Sequence, residues 1–268
     1  MKPSLNFSLL NIDKPAGPTS FSIDKFIKDT LKVSKVSHFG TLDPQVTGIL
    51  PIALGRACRL NEYFMHSDKT YVGIMHLREK ITKSLLEKEM KKFIGVITQL
   101  PPIKSAVKRA PRQREIFEFK IIEKSGQEVL FSTKVQAGTY IRKLVHDLGE
   151  KIGGAHMLEL RRTQASVFKE SDKNFINLYD FEKAVKEDAL SEILIPAEEA
   201  IKLVLPEIQI KKDNLKQLLT GRPLMKFDLS DNKPLPEKFA AFIKDKFIGV
   251  YYSIKEGDIV AKPEFVYN

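Results

Sequence analysis

The sequence is poor in the residues that build disulfides, zinc sites and membrane spans. Its 268 residues include one cysteine, Cys58, which excludes an intramolecular disulfide and a cysteine-rich zinc site. No apolar run approaches the ~20 residues of a membrane span, and the start Met1-Lys2-Pro3-Ser4 leads into no signal peptide. Tryptophan is absent, which weakly disfavours a carbohydrate-binding enzyme. We therefore expect a soluble protein in a reducing, intracellular compartment.

Motifs for nucleotides and metals are also missing. The chain has no G-x-x-x-x-G-K-[ST] loop for a nucleoside triphosphate and no G-x-G-x-x-G turn after a strand for a dinucleotide or a methyl donor. Its five histidines include no pair at metal-ligand spacing within an acidic cluster. We expect neither a cofactor nor a metal ion.

Basic residues, by contrast, are in surplus. The chain has 44 Lys and Arg against 34 Asp and Glu, a formal net charge of +10. This surplus favours a polyanionic partner such as nucleic acid, although a basic protein without one remains an alternative. Phosphate contacts position RNA without reading much of its sequence. The predicted RNA-binding residues are Lys104, Lys108, Arg109, Arg112, Arg114, Arg161 and Arg162. A solvated loop face is the other interpretation of this set.

The hydrophobic pattern alternates between strands and helices. It predicts strands over 8–12, 46–54, 69–77, 115–122, 128–135 and 155–162, with a hairpin turn at Ser125-Gly126. It predicts helices after Thr19 or Ser20, over 57–65, over 82–93 with Gly95 at the end, and from Gly138-Thr139 through Gly149 and Ile152, stopped by Gly153-Gly154. Pro206 opens a segment of short strands. We predict one domain over residues 1–205 and a small β-rich domain over 206–268.

One acidic residue occupies an unusual position. Asp43 lies between Gly40 and Pro44, directly before an apolar strand. The proline keeps Asp43 extended, and Gly40 permits a turn that other residues disfavour, so the carboxylate can project into a cleft in a fixed direction. The alternative is an Asp-Pro turn in which the carboxylate caps neighbouring amides, and the stretch alone favours that alternative.

Four stretches in order carry a resemblance to a known family. They are NIDKPAGPTS (11–20), HFGTLDPQVTGILP (38–51), KTYVGIMHL (69–77) and QAGTYIRKLVHDLGEKIGGAHMLELRRT (136–163). Together they resemble the pseudouridine synthases related to the bacterial tRNA synthase B. The segments MHL and LPPIKSAVKR (100–109) are similar to the archaeal and eukaryotic dyskerin branch, the catalytic subunit of the box H/ACA ribonucleoprotein. The resemblance implies an α+β fold with a mixed, mainly antiparallel sheet and a central RNA cleft, followed by a short, β-rich PUA domain.

The same resemblance assigns roles to single residues. Asp43 matches the catalytic aspartate, Arg142 matches the arginine that pairs with it, and Tyr71 matches the tyrosine that stacks on the extruded base and assists proton transfer. The implied substrate-binding set is His38, Leu160 and Lys14, of which Lys14 also buttresses the catalytic loop together with Pro15. Read without the family, each of these residues has an ordinary structural interpretation, which is the favoured one for Arg142 and Tyr71. Phe39 departs from the glycine that the branch commonly has there, and we expect its ring to narrow the cleft or to change loop motion.

The implied activity is an isomerase that converts uridine to pseudouridine. Its substrate is rRNA selected by a box H/ACA guide RNA, the T-loop uridine of tRNA, or both. The implied protein partners are a small nucleolar accessory protein, a Gly/Arg-rich accessory protein and a kink-turn-binding protein. The location is cytoplasmic in an archaeon and nuclear or nucleolar in a eukaryote. Two alternatives are a catalytically silent RNA-binding scaffold of the same fold and an RNA methyltransferase, the latter disfavoured because no cofactor-binding glycine loop is present.

Overall fold

The computed structural model describes residues 4–101, 108–231 and 233–268, and the statements below refer to these residues. A large sheet is built from β1 (Phe7–Lys14), β2 (Val36–His38), β3 (Thr47–Gly55), β4 (Lys69–Leu77), β5 (Gly95–Gln99), β6 (Arg112–Ser125), β7 (Glu128–Val135), β8 (Ala155–Ala165), β9 (Phe168–Lys169), β10 (Phe175–Asn177) and β11 (Ile195–Pro196). Its main path runs β10-β1-β3-β8-β4-β7-β6-β5. Most neighbouring strands are antiparallel, while β1–β10 and β3–β8 are parallel. The predicted α+β class with a mixed, mainly antiparallel sheet is confirmed.

Eight α-helices surround the two sheets in the described part of the chain. They are α1 (Ser20–Leu31), α2 (Asn61–Met65), α3 (Lys83–Lys91), α4 (Ile141–Gly149), α5 (Leu178–Lys186), α6 (Leu190–Ile193), α7 (Ala197–Lys202) and α8 (Leu215–Leu219), with 3₁₀ turns at Arg56–Leu60 and Lys226–Asp228. Thr19 caps α1 as predicted, because its hydroxyl accepts a hydrogen bond from the amide of Ser22. None of the described helices has the length and apolar character needed to cross a membrane.

A second sheet is formed entirely by residues after Pro206. It contains β12 (Glu207–Gln209), β13 (Leu224–Met225), β14 (Lys238–Ile243), β15 (Lys246–Glu256) and β16 (Ile259–Val266), in the order β12-β14-β15-β16-β13. One face of this sheet covers its own small core. The other face shares a core with β1 and β3 of the large sheet and with the helical segment 57–64. The two-domain division stays a prediction.

Two predicted elements differ from the structure near residues 57 and 95. The predicted helix over 57–65 is a 3₁₀ turn followed by the short α2. Gly95 does not end α3, which stops at Lys91, and instead begins β5 with a φ of 101°. Only two of the five residues of β5 are hydrophobic, and Val96 is exposed, so the segment carries a weak strand pattern.

The parallel pairing of β3 with β8 brings two parts of the site together. The register places Gly48 opposite Arg162. Gly48 has a φ of 96°, and a Cβ there would lie 2.3 Å from the carbonyl oxygen of Arg162. Glycine at this position therefore allows the strand that follows the Asp43 loop to lie directly against β8.

Candidate active site

The loop between β2 and β3 presents Asp43 at the surface. The side chains of Asp43 and Arg142 are 51% and 59% exposed, and Arg142 Nη2 lies 2.6 Å from Asp43 Oδ2. No backbone amide of the described residues donates to this carboxylate, so the amide-capping alternative is not supported. At this distance the two side chains form a charge-assisted hydrogen bond that fixes the direction of the carboxylate.

Lys14 supports the Asp43 loop from below. Its side chain is fully buried, and its ammonium donates hydrogen bonds to the carbonyl oxygens of Pro15 (2.8 Å), Pro44 (2.9 Å) and Val46 (2.9 Å). Burial lowers the pKa of Lys14, and the negative charge of Asp43 opposes that shift. With its three donors used, Lys14 has the predicted role of loop support. It has no exposed surface for the substrate contact that was also predicted.

Tyr71 lies beside the loop on β4, with 9% of its surface exposed. It is the cross-strand partner of Arg162 on β8, and its hydroxyl lies near enough to the Arg162 guanidinium to oppose the lowering of the arginine pKa. Leu160 lies on the same face of β8, opposite Gly73, and is 8% exposed. The predicted base-stacking tyrosine and base-packing leucine are therefore neighbours on one face of the sheet.

Arg161 and Arg162 were both predicted to bind RNA, and the structure corrects this for Arg162. The Arg162 residue is 1% exposed, so it has no surface for a phosphate. Arg161 points to the opposite face of β8, where it donates to both oxygens of Asp13 at 2.9 and 2.8 Å and to Glu170 at 2.5 Å. Because two carboxylates already bind Arg161, this residue is less suited to the predicted contact with an RNA phosphate.

His38 lies at the start of the loop with both ring nitrogens in use. Its Nδ1 lies 2.7 Å from Asp24 Oδ2 on α1, and its Nε2 lies 2.9 Å from the Thr41 hydroxyl. The contacts connect α1 to the residue two positions before Asp43. In this arrangement His38 holds the loop, and a substrate contact would require it to release one of these partners.

Phe39 does not point into the cleft. Its ring is 1% exposed and stacks on Phe64 with a centroid distance of 4.9 Å and an interplanar angle of 4°. Phe168 completes the contact, with its ring centroid 6.3 Å away. The expectation that this ring narrows the cleft is therefore wrong. The side chain belongs to the core on the side of the large sheet that the second sheet covers.

The predicted basic run is partly described. Lys104 lies outside the described residues, and Lys108 and Arg109 are exposed. Arg112 and Arg114 lie on β6 and are partly buried. The guanidinium of Arg114 packs over Gly138, where a Cβ would come within 3.1 Å of it. Because Gly138 precedes α4, this part of the basic run lies near the helix that carries Arg142.

Two positioning residues were missed by the sequence analysis. Ser20 is buried, and its hydroxyl donates to the carbonyl of Leu42 at 3.0 Å and accepts from the Leu42 amide at 2.9 Å. Gln99 at the end of β5 likewise binds both the amide and the carbonyl of Tyr140, directly before α4. One residue fixes the approach to Asp43 and the other the start of the Arg142 helix. Their partners are backbone atoms of distant residues, which leave no local sequence signal.

The described residues offer no metal centre, because no group of three or more His, Cys, Asp or Glu side chains is arranged to hold an ion. Lys69 is a further buried ionisable group near the loop. Its ammonium donates to the carbonyl oxygens of Met65, at 2.5 Å, and Ser67. Burial, followed by the charge of Arg162, lowers the pKa of Lys69 to about 8. The floor of the site is therefore cationic.

Comparison with known proteins identifies the family. The sequence profile described as TruB family pseudouridylate synthase (N terminal domain) matches residues 28–84 and 76–141, and the tRNA pseudouridylate synthase B C-terminal domain matches residues 142–202. A probable tRNA pseudouridine synthase B from Thermococcus onnurineus is 37% identical over 269 residues, which cover 97% of this chain and 75% of the relative. The chain belongs to the TruB family of pseudouridine synthases. The family predicted from the motifs is confirmed.

Further members of the family extend this comparison. A probable tRNA pseudouridine synthase B from Nanoarchaeum equitans is 43% identical over 204 residues, and the match covers 74% of this chain and 58% of that relative. The chain thus spans less than two thirds of the length of that family member. The crystal structure of a Cbf5-Nop10-Gar1 complex and the structure of an H/ACA RNP bound to a substrate RNA containing 2′-deoxyuridine both align with a TM-score of 0.87. Their identities are 35% and 32%, and the alignments cover 98% of this chain and 85% and 86% of theirs. The Cbf5 match agrees with the predicted dyskerin branch.

Proposed function

We propose that the chain isomerises uridine to pseudouridine in RNA. The observation that carries the proposal is the Asp43–Arg142 pair at 2.6 Å, exposed on a loop that Lys14 and Ser20 hold from below and that lies beside Tyr71. Membership of the TruB family supports the same reaction. The isomerisation involves no net oxidation or reduction, so it consumes no oxidant or reductant.

The proposed reaction uses each of these residues in a separate part. The N1–C1′ glycosidic bond breaks, the uracil turns, and C5 bonds to C1′ while the C5 proton leaves to solvent and N1 takes up a proton. Asp43 is the nucleophilic carboxylate in this scheme, and Arg142 holds it in place through the contact of 2.6 Å. A uridine must leave the RNA stack before its glycosidic bond is accessible, and Tyr71 with Leu160 provides the surface for the extruded base.

The substrate classes follow from the relatives. Those from T. onnurineus and N. equitans are named as tRNA pseudouridine synthases, which supports a tRNA uridine. The similar H/ACA RNP carries a substrate RNA, and the similar Cbf5 complex contains Nop10 and Gar1, which supports guided modification with two protein partners. A kink-turn-binding partner and rRNA as the guided target are part of the proposal. The relatives are archaeal, which favours a cytoplasmic location.

The second sheet is proposed to hold the guide RNA. Residues 206–268 are then the PUA domain, with the segment TGRPLM (220–225) as its RNA-contacting part. In this segment Arg222 Nη2 lies 2.8 Å from the buried Asp228, and its guanidinium packs near the exposed ring of Phe227. Because Asp228 already binds Arg222, the exposed ring of Phe227 is the part of this segment suited to stacking on a base of single-stranded RNA.

The variant Asp43→Asn tests the proposal. It keeps the size of the side chain but removes the nucleophile, so we expect RNA binding to persist and turnover to fall by at least ~10³-fold. Tritium release from RNA labelled at uridine C5 measures the reaction, on tRNA and on guide-assembled RNA. Asp29→Asn, an exposed carboxylate on α1, is the matched control and should retain full activity. A parent chain that binds both RNAs and releases no tritium would support the scaffold alternative.

A further inference from the structure

Arg162 is a buried cation with no carboxylate partner in the described part of the chain. Its guanidinium donates from Nε to the carbonyl oxygen of Ile49 at 2.8 Å and from Nη2 to that of Gly40 at 3.0 Å. Burial lowers its pKa, and its contact with the Tyr71 hydroxyl opposes that shift. Burying an unpaired guanidinium is costly. A neutral donor would satisfy the two carbonyls at a lower cost in free energy. The presence of a buried arginine at this position therefore needs another explanation.

The three contacts of Arg162 lie on three separate parts of the site. Gly40 begins the loop that carries Asp43, Ile49 lies on the strand that follows this loop, and Tyr71 lies on β4. Gly40 has a φ of 97°, and a Cβ there would lie 3.6 Å from Nη1 of Arg162. The left-handed backbone at Gly40 turns its carbonyl towards the guanidinium. The planar guanidinium of Arg162 therefore sets the spacing between the Asp43 loop and Tyr71.

We propose that Arg162 is a positioning residue for the isomerisation, joining the Asp43 loop to Tyr71 through its guanidinium. The inference rests on the proposed function. It differs from the role of Arg142, which contacts the Asp43 carboxylate directly at the surface. Arg162 touches no substrate and acts through the backbone of the loop and the hydroxyl of Tyr71. The fork of the guanidinium is essential here, because donors on Nε and Nη2 diverge to two carbonyls while a lysine offers one point charge.

The test compares Arg162→Lys with Arg162→Met. The lysine variant keeps the buried charge and the stem but does not span both carbonyls and the tyrosine hydroxyl. A misplacement of about 1 Å at a reacting group costs up to ~10²-fold in rate. We expect Arg162→Lys to lose at least ~10-fold in single-turnover rate with RNA affinity within about twofold, and Arg162→Met to lose more. Arg78→Lys, an exposed arginine at the end of β4, is the matched control. Circular dichroism and urea titration report the folded fraction of each variant.

A double-mutant cycle with Tyr71→Phe separates positioning from a merely structural role. If Arg162 acts through the Tyr71 hydroxyl, the combined loss in rate is smaller than the product of the two single losses. Multiplicative losses, or a fully folded Arg162→Lys with the parent's single-turnover rate, would overturn the inference and leave the proposed function standing. No product from the parent chain would overturn the proposed function, and this inference with it.

Discussion

Replacing Phe39 by alanine tests where this ring lies. If the ring lined the cleft, its loss would widen the path of the RNA and leave stability almost unchanged. In the structure the ring is 1% exposed, stacked on Phe64 and in contact with the core shared by the two sheets. Its removal should therefore destabilise the protein and leave RNA affinity intact.

The magnitude follows from burial. Truncating a fully buried phenylalanine to alanine costs about 3–5 kcal/mol, which includes the cavity left behind. The stacked pair with Phe64 accounts for roughly 0.5–1.5 kcal/mol of that figure. For a chain of this size each kcal/mol corresponds to roughly 2–4 °C, so the melting temperature should fall by roughly 6–20 °C.

The assay is urea unfolding followed by circular dichroism, with RNA affinity measured well below the melting transition. Phe21→Ala is the matched control, since this ring on α1 is 72% exposed and the same truncation should change stability by less than about 0.5 kcal/mol. A stability loss no larger than that of Phe21→Ala, together with altered RNA affinity, would show that the ring lies in the cleft after all.

Two further predictions concern Lys69 and the second sheet. The pKa of Lys69 is 10.5 in the unfolded chain and about 8 in the folded chain. Between these two pH values the unfolded chain holds the proton and the folded chain does not, so the free energy of unfolding should rise by about 3 kcal/mol as the pH increases across this range. Lys69→Met should lack this rise in urea titrations at a series of pH values, and an equal rise in the variant would refute the assignment. A chain ending at Leu205 uncovers Phe7, which stacks on Phe247 and Tyr267. We expect the truncated chain to be less stable and to bind guide RNA more weakly. A truncated chain with the parent's melting temperature and guide affinity would contradict both expectations.

Local pattern predicted those elements whose signals lie within the element. The alternation over 69–77 gives the bounds of β4, and Ser125-Gly126 marks the turn between β6 and β7. The parallel pairing of β3 with β8 joins residues more than 100 positions apart and depends on Gly48. Such pairing has no local signal, so the order of strands in the sheet was not predictable from the pattern.

The candidate site shows the same limit. The motifs located Asp43, Arg142 and Tyr71, while Ser20 and Gln99 became visible only in the fold. The burial of Arg162 did have a local signal, which the sequence analysis did not use. Residues 160 and 162 of a strand share a face, and Leu160 was expected to pack against the base, so strand periodicity placed Arg162 inward and Arg161 on the opposite face. The prediction grouped Arg161 and Arg162 by their charge, and charge does not indicate on which face of the strand a side chain lies.

The contacts between the two sheets limit how far the second sheet can move relative to the Asp43 loop. Pro206 marks a change in the sequence, and residues 207–266 form a sheet of their own. Yet the ring of Tyr267 lies 4.0 Å from that of Phe7, and Arg56 Nη2 donates to the carbonyl of Val266 at 3.1 Å. Apolar contacts of this kind resist sliding, because any displacement exposes buried rings to water. A guide RNA held by the second sheet would therefore meet the Asp43 loop at a fixed distance, so substrate choice would depend on the length of RNA between the two.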